Sequence, residues 1–90
     1  MIRLPALYIN ASIDLPGGWV KVEIKDGQFD HPQLRTIEGY ALEESIPVDQ
    51  DGVRLPVYWQ NMRRLDAWIN KKVVLKFVLN QATLYSYFFE

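Results

Sequence analysis

The stretch from Val73 to Glu90 constrains the fold more than any other part of the chain. Val73, Leu75, Phe77 and Leu79 alternate with Val74, Lys76, Val78 and Asn80, the period of a β-strand rather than of a helix. Beyond Gln81, Leu84-Tyr85-Ser86-Tyr87-Phe88-Phe89 is apolar or aromatic on both parities. Such a strand needs cover on both sides. A hairpin turning at Gln81-Ala82 is expected to set Val78 beside Tyr85, Lys76 beside Tyr87 and Val74 beside Phe89. Tyr85, Tyr87, Phe89, Val74 and Val78 then form one candidate interface face, and Leu75, Phe77, Leu79, Leu84 and Phe88 the inner one. Two readings of the first face stand side by side. It meets a partner, or it is internal and covered by the turn around Leu65 and Trp68. Left uncovered, it would exceed the apolar patch of a few hundred square ångströms that a monomer ordinarily shows.

The first third of the chain carries a second strand pair. Leu7, Ile9, Ala11 and Ile13 alternate with Tyr8, Asn10, Ser12 and Asp14; Val20, Val22 and Ile24 alternate with Trp19, Lys21, Glu23 and Lys25. Leu15-Pro16-Gly17-Gly18 between them is turn chemistry, proline fixing φ and glycine supplying positive φ. Folding about Pro16-Gly17 is expected to place Ile13 opposite Val20, Ala11 opposite Val22 and Ile9 opposite Ile24, with one wet face.

Asp26-Gly27 marks another turn, before a short segment around Phe29. Gly39 to Leu42 and Ser45 to Val48 read as short strands joined by a bend. Asp49-Gln50-Asp51-Gly52 turns into Val53-Arg54-Leu55-Pro56-Val57-Tyr58-Trp59, where Val53, Leu55, Val57 and Trp59 share a face. Pro56 cannot donate to a ladder, which sends this strand to an edge or a bulge. Asn61 to Asn70 is the one helical candidate, with Leu65, Trp68 and Ile69 at i, i+3 and i+4. These elements predict an all-β, two-sheet antiparallel β-sandwich, jelly-roll-like, as a single domain over residues 1–90 with one short helical turn near residues 61–70.

Ninety residues leave room for one core, which buries only about 60–65% of the unfolded chain's surface. There is no cysteine, so burial alone must hold the fold. Ten basic against eleven acidic residues argue against a polybasic surface for nucleic acid or membrane. The chain contains no apolar run long enough for a transmembrane helix, and Met1-Ile2-Arg3-Leu4-Pro5 does not open an apolar signal region.

No catalytic constellation is legible. Glu43 and Glu44 are adjacent, so in extended chain they point to opposite faces and cannot flank a substrate. Asp49 and Asp51 share a face on a turn. They are the weak alternative for a metal, but the pattern supplies no terminal acidic ligand for calcium. His31 is the sole histidine, beside Pro32, with no dyad or ligand partner in the pattern. No cofactor is expected. The aromatics are the better candidates. Trp19 lies on the charged parity of its strand, and Tyr58 is opposite in parity to Trp59 and near Arg54. Trp19, Tyr58 and Arg54 are therefore the candidate carbohydrate-binding residues, by ring stacking and hydrogen bonding. The plainer reading folds Trp19 over the sandwich end, and Trp59 and Trp68 belong to the core.

The order Asn10-Ala11-Ser12, Val22-Glu23-Ile24, Gly39-Tyr40-Ala41-Leu42-Glu43-Glu44-Ser45, Pro47-Val48, Val57-Tyr58-Trp59, Val73-Val74-Leu75-Lys76-Phe77 and Ala82-Thr83-Leu84-Tyr85-Ser86-Tyr87-Phe88 resembles a C-terminal β-sandwich accessory module. Such modules end many exported bacterial proteins with glycoside-hydrolase or sialidase-like β-propeller domains. The resemblance implies a jelly-roll-like sandwich that contributes no catalytic residue and packs on a catalytic domain, with carbohydrate as a further contact. It also implies a secreted or cell-envelope setting. Two departures stand out. Ile69-Asn70-Lys71 occupies the place where similar modules have glycine, asparagine being the next-best residue for a left-handed turn. No catalytic domain precedes the module in the sequence, so the expectation is either a piece cut from a larger protein or a free-standing, homo-oligomeric relative.

Overall fold

The computed structural model describes residues 5–27, 35–61 and 65–90. Among them are five strands, β1 (Leu7–Ile13), β2 (Trp19–Asp26), β3 (Gly52–Pro56), β4 (Val73–Asn80) and β5 (Ala82–Phe89), and two 3-10 turns at Leu42–Glu44 and Asp66–Trp68. The strands form two antiparallel sheets, ordered β3-β1-β5 and β2-β4, so the chain is a small all-β, two-sheet fold. The short helical turn expected near residues 61–70 is the 3-10 turn Asp66–Trp68; positions 62–64 lie outside the described residues, as do His31 and the segment around Phe29.

Neither expected hairpin forms. Ile13 lies opposite Ala82 rather than Val20, and Val20 lies opposite Leu79. Val78 lies opposite Lys21 rather than Tyr85. The connections at residues 14–18 and at Gln81 are both arches that cross from one sheet to the other. Alternation assigns a face to each strand, and it did so correctly for β1 and β2. Leu7, Ile9, Ala11 and Ile13 are buried, as are Val20, Val22 and Ile24. A hairpin would put both apolar rows on one sheet and leave them to be covered by something else. The arch sets them against each other and buries both at once.

The irregular middle of the chain closes the far edge of β2. Val20 exchanges both backbone hydrogen bonds with Val48, at 2.9 Å each. Ile24 donates to Tyr40 and accepts from Ile37, and Asp26 donates to Arg35. Between them, where the turn Leu42–Glu44 lifts away, side chains complete the row. The Val22 N–H donates to Ser45 Oγ at 3.0 Å, and Trp59 Nε1 donates to the Val22 carbonyl at 3.0 Å. Buried backbone groups need such partners. The expected strand over 45–48 thus reduces to isolated bridges, Val20 with Val48 and Ser45 with Trp59, and 39–42 forms no bridge.

Two bulges change which side chains face inward. Ile9 pairs with Leu55 and Ala11 with Gly52, so β3 holds one residue too many for its partner. That breaks the predicted face Val53-Leu55-Val57-Trp59. Val53 is 74% exposed, while Val57 and Trp59 are buried and Leu55 packs on the core. Pro56 does lie on an edge strand. In β5 the pairing passes from Asn10–Ser86 to Ala11–Leu84, which makes Tyr85 the extra residue. Paired residues share a face, so Ala82 and Leu84 face inward with Ile13 and Ala11, and Tyr87 and Phe89 face inward with Ile9 and Leu7. Phe88, predicted inner, faces outward with Tyr8 and stacks on its ring at 5.5 Å.

Candidate functional site: the open flank of β4 and β5

Burial falls away across both sheets in the same direction. The inward residues of β1 and β2 are buried throughout. Ile37, Tyr40, Val48, Val57, Trp59 and Leu65 close the flank beside them. On the other flank, Leu75, Phe77, Leu84 and Phe89 are only partly covered, and Leu79 is 45% and Tyr87 51% exposed. The rings of Phe77 and Tyr87 meet at 5.3 Å across the gap between the sheets, and Tyr87 meets Phe89 edge-on at 6.4 Å. Tyr85, on the bulge, is 65% exposed. Among the described residues no strand pairs with the second edge of β4 or of β5. The sandwich is thus complete on one side and open on the other, with apolar inner faces and two strand edges at the opening.

The predicted interface set is divided by this arrangement. Val74 and Val78 lie on the outer face of β4, opposite Lys25 and Lys21. Tyr87 and Phe89 lie on the inner face of β5. The five residues therefore do not make one continuous face. Alternation applied through residue 85 assigned the wrong side to everything beyond it, because it assumed a hairpin and could not register the bulge. Phe77, Leu79 and Leu84, assigned to a closed core, belong to the open flank.

Trp19, Arg54 and Tyr58 are likewise on separate surfaces. Trp19 starts β2 on its outer face, half-buried, with Lys21 Nζ 5.0 Å from the ring centroid. Arg54 lies on the outer face of the other sheet, over the ring of Tyr8 at 4.4 Å. Its Nε donates to Glu90 Oε2 at 2.8 Å and its Nη2 pairs with the same oxygen. This side-chain hydrogen bond is the main cause that raises the Arg54 pKa above its ordinary value. Arg54, Tyr8 and Phe88 form a ladder across β3, β1 and β5. Sequence reasoning missed it, since it had turned Phe88 inward. Tyr58, 46% exposed, borders a shallow cavity of about 320 Å³ shared with Ile46, Pro47, Asp49, Gln50 and Leu55.

The Asp51 carboxylate accepts the N–H of Ile13, at the end of β1. Its role there is to satisfy backbone. Among the described residues no group of three or more His, Cys, Asp and Glu side chains could hold a metal ion. Glu43 and Glu44 sit on a 3-10 turn whose backbone carbonyls accept from Gln60. Asn70 takes φ +65°, the left-handed conformation asparagine tolerates. No helix among the described residues is long and apolar enough to cross a membrane. Comparison of the chain with protein-family models, with curated proteins and with solved structures gives no match.

Proposed function

We propose that the chain is a non-catalytic β-sandwich interaction module. It packs through the β4–β5 flank against a catalytic domain or a partner subunit of a carbohydrate-active protein. The observation that carries this reading is the one-sided burial. A domain of this size has little apolar surface to spare, yet both C-terminal strands leave inward-facing rings and leucines half in water. Such a surface is stabilised by a neighbour that removes it from solvent. The carbohydrate-active setting rests on the resemblance in strand order and signposts alone.

Hydroxyl-radical footprinting tests the reading in protein taken from its source at native abundance. Tyr85 and Tyr87 should label several-fold less than in the same protein dissociated by urea below its unfolding midpoint. Equal labelling in both states would refute a covered flank.

A second reading is favoured by one observation, the cavity beside Tyr58. An exposed ring that lines one cavity with Asp49 and Gln50 offers a sugar a stacking surface and hydrogen-bond partners in one place. Trp19 is a poorer platform, since Lys21 stands over its ring. Titration with soluble polysaccharides should show binding that Tyr58→Ala weakens by about tenfold, the equivalent of about 1.4 kcal/mol. Equal affinity in wild type and variant would place any sugar contact elsewhere.

A further inference from the structure

We infer that the neighbour on this flank is a second copy of the same chain, joined by antiparallel pairing of β5 with β5 about a twofold axis. The inference rests on the reading of the flank as an interface and names what covers it. The argument comes from the bulge. Ala6 and Glu90 exchange both backbone hydrogen bonds, and Asp14 donates to Gln81. By the alternation of an antiparallel ladder, the backbone groups of Ala82, Leu84, Tyr87 and Phe89 then point away from β1, to the free edge. Their spacing along that edge is two, three and two residues, because Tyr85 is inserted between Leu84 and Ser86.

A straight strand presents its groups every second residue and falls out of step with this edge at the bulge. A strand with the same extra residue at its middle stays in step throughout. β5 read in the opposite direction is such a strand. Pairing about its midpoint sets Ala82 against Phe89 and Leu84 against Tyr87, inward residues with inward ones, and Thr83 against Phe88, outward with outward. The bulge that would protect this edge from a foreign strand thus matches it to its own copy.

Charge and area agree. Gln81 to Phe89 contains no charged residue and no proline, so the two copies meet without repulsion. The other free edges are protected. β4 carries Lys76 near its middle, which a second β4 would meet with like charge, and β3 carries Arg54 and Pro56. With Tyr85 65%, Tyr87 51% and Leu79 45% exposed, three side chains leave about 350 Å² uncovered per chain, given about 150–250 Å² for each aromatic. Two copies present about 700 Å², and the paired strand edges bring the total toward the roughly 1,200 Å² at which specific interfaces begin. Closure about a twofold also ends the assembly at two chains.

Light scattering and sedimentation equilibrium on the intact chain should give a dimer at tens of micromolar. Tyr85→Lys and Tyr85→Glu, at an exposed position beside the axis, should each weaken self-association at least tenfold, by setting like charges side by side. An equimolar mixture of the two variants should recover the dimer. In the wild type, amide exchange at Leu84 and Tyr87 should slow as concentration rises, which needs no variant. A monomer at all concentrations, a dimer indifferent to both substitutions, a mixture that stays monomeric, or open-ended filaments would each overturn the inference. A monomer whose Tyr85 and Tyr87 are protected in native material would overturn it and leave the interaction-module reading standing. Full labelling of both tyrosines would remove both.

Discussion

Trp59→Ala should remove a large part of the chain's stability at 25 °C. The indole is 1% exposed and is the largest fully buried side chain among the described residues. Truncating a buried tryptophan costs about 3–5 kcal/mol, against a total of about 5–13 kcal/mol for a domain of this length. Two further losses attend it. Tyr40 meets the indole edge-on, with centroids 5.0 Å apart and planes at 74°, and would lose that contact. The Val22 carbonyl would lose the indole N–H that it accepts in the middle of β2. Trp59→Phe narrows the comparison to the second loss, since it keeps an aromatic ring at the site while removing the N–H together with the smaller ring. A buried acceptor left without a partner costs about 1–3 kcal/mol. Ser45→Ala removes the matching acceptor for the Val22 N–H and should cost a similar amount. Urea unfolding followed by circular dichroism would measure all three. A Trp59→Phe midpoint equal to wild type would show that the Val22 carbonyl does not depend on the indole.

These two side chains show what could and could not be read from the chain. Trp59 was legible as core, because its parity follows Leu55 and Val57 toward the sandwich. Ser45 was not, since nothing in its neighbours marks it as the group that replaces a missing strand at Val22. The inner rows of β1, β2 and β4 were legible for the same reason as Trp59. Their partners were not. Alternation is a property of one strand, and it is identical whether the next strand lies beside it or across the core. One local signal did bear on the choice. Asn80-Gln81-Ala82 lacks the Asn-Gly or Asp-Gly pair that a tight hairpin prefers, and Gln81 takes φ +49° in an arch instead. The open flank was half legible. Its aromatic residues stood out by composition, but the bulge at Tyr85 decides which of them face the opening. A single inserted residue leaves no trace in a pattern that is apolar on both parities.

Gly18→Ala should destabilise the chain by about 3 kcal/mol or more, at the upper end of what overpacking costs. Gly18 is buried where the two arches meet. Its N–H donates to the Asp14 carbonyl at 2.9 Å, and the Asp14 N–H donates to the Gln81 carbonyl at 2.8 Å. A methyl group on Gly18 would lie 2.7 Å from the Gln81 carbonyl oxygen, 2.9 Å from Ile13 Cγ2, and in still closer conflict with the Asp14 carbonyl oxygen. Two of these three neighbours are backbone and cannot rotate aside. Gly17, one residue earlier, is the control. It takes φ +96° and has open space, its nearest neighbour being Gln81 Oε1 at 4.0 Å. Gly17→Ala therefore meets only the conformational cost, about 1–2 kcal/mol. The order of the two effects separates crowding from strain, and a larger loss at Gly17 would refute the packing argument. The consequence reaches the flank as well. Asn80 Nδ2 donates to the Gly17 carbonyl at 3.0 Å, so the β1–β2 and β4–β5 arches are tied to each other. Forcing the arches apart at Gly18 should free the start of β5 from β1 before it disturbs the closed flank. Amide exchange in the variant should therefore rise first at Ala82 to Leu84 and last at Val20 to Ile24.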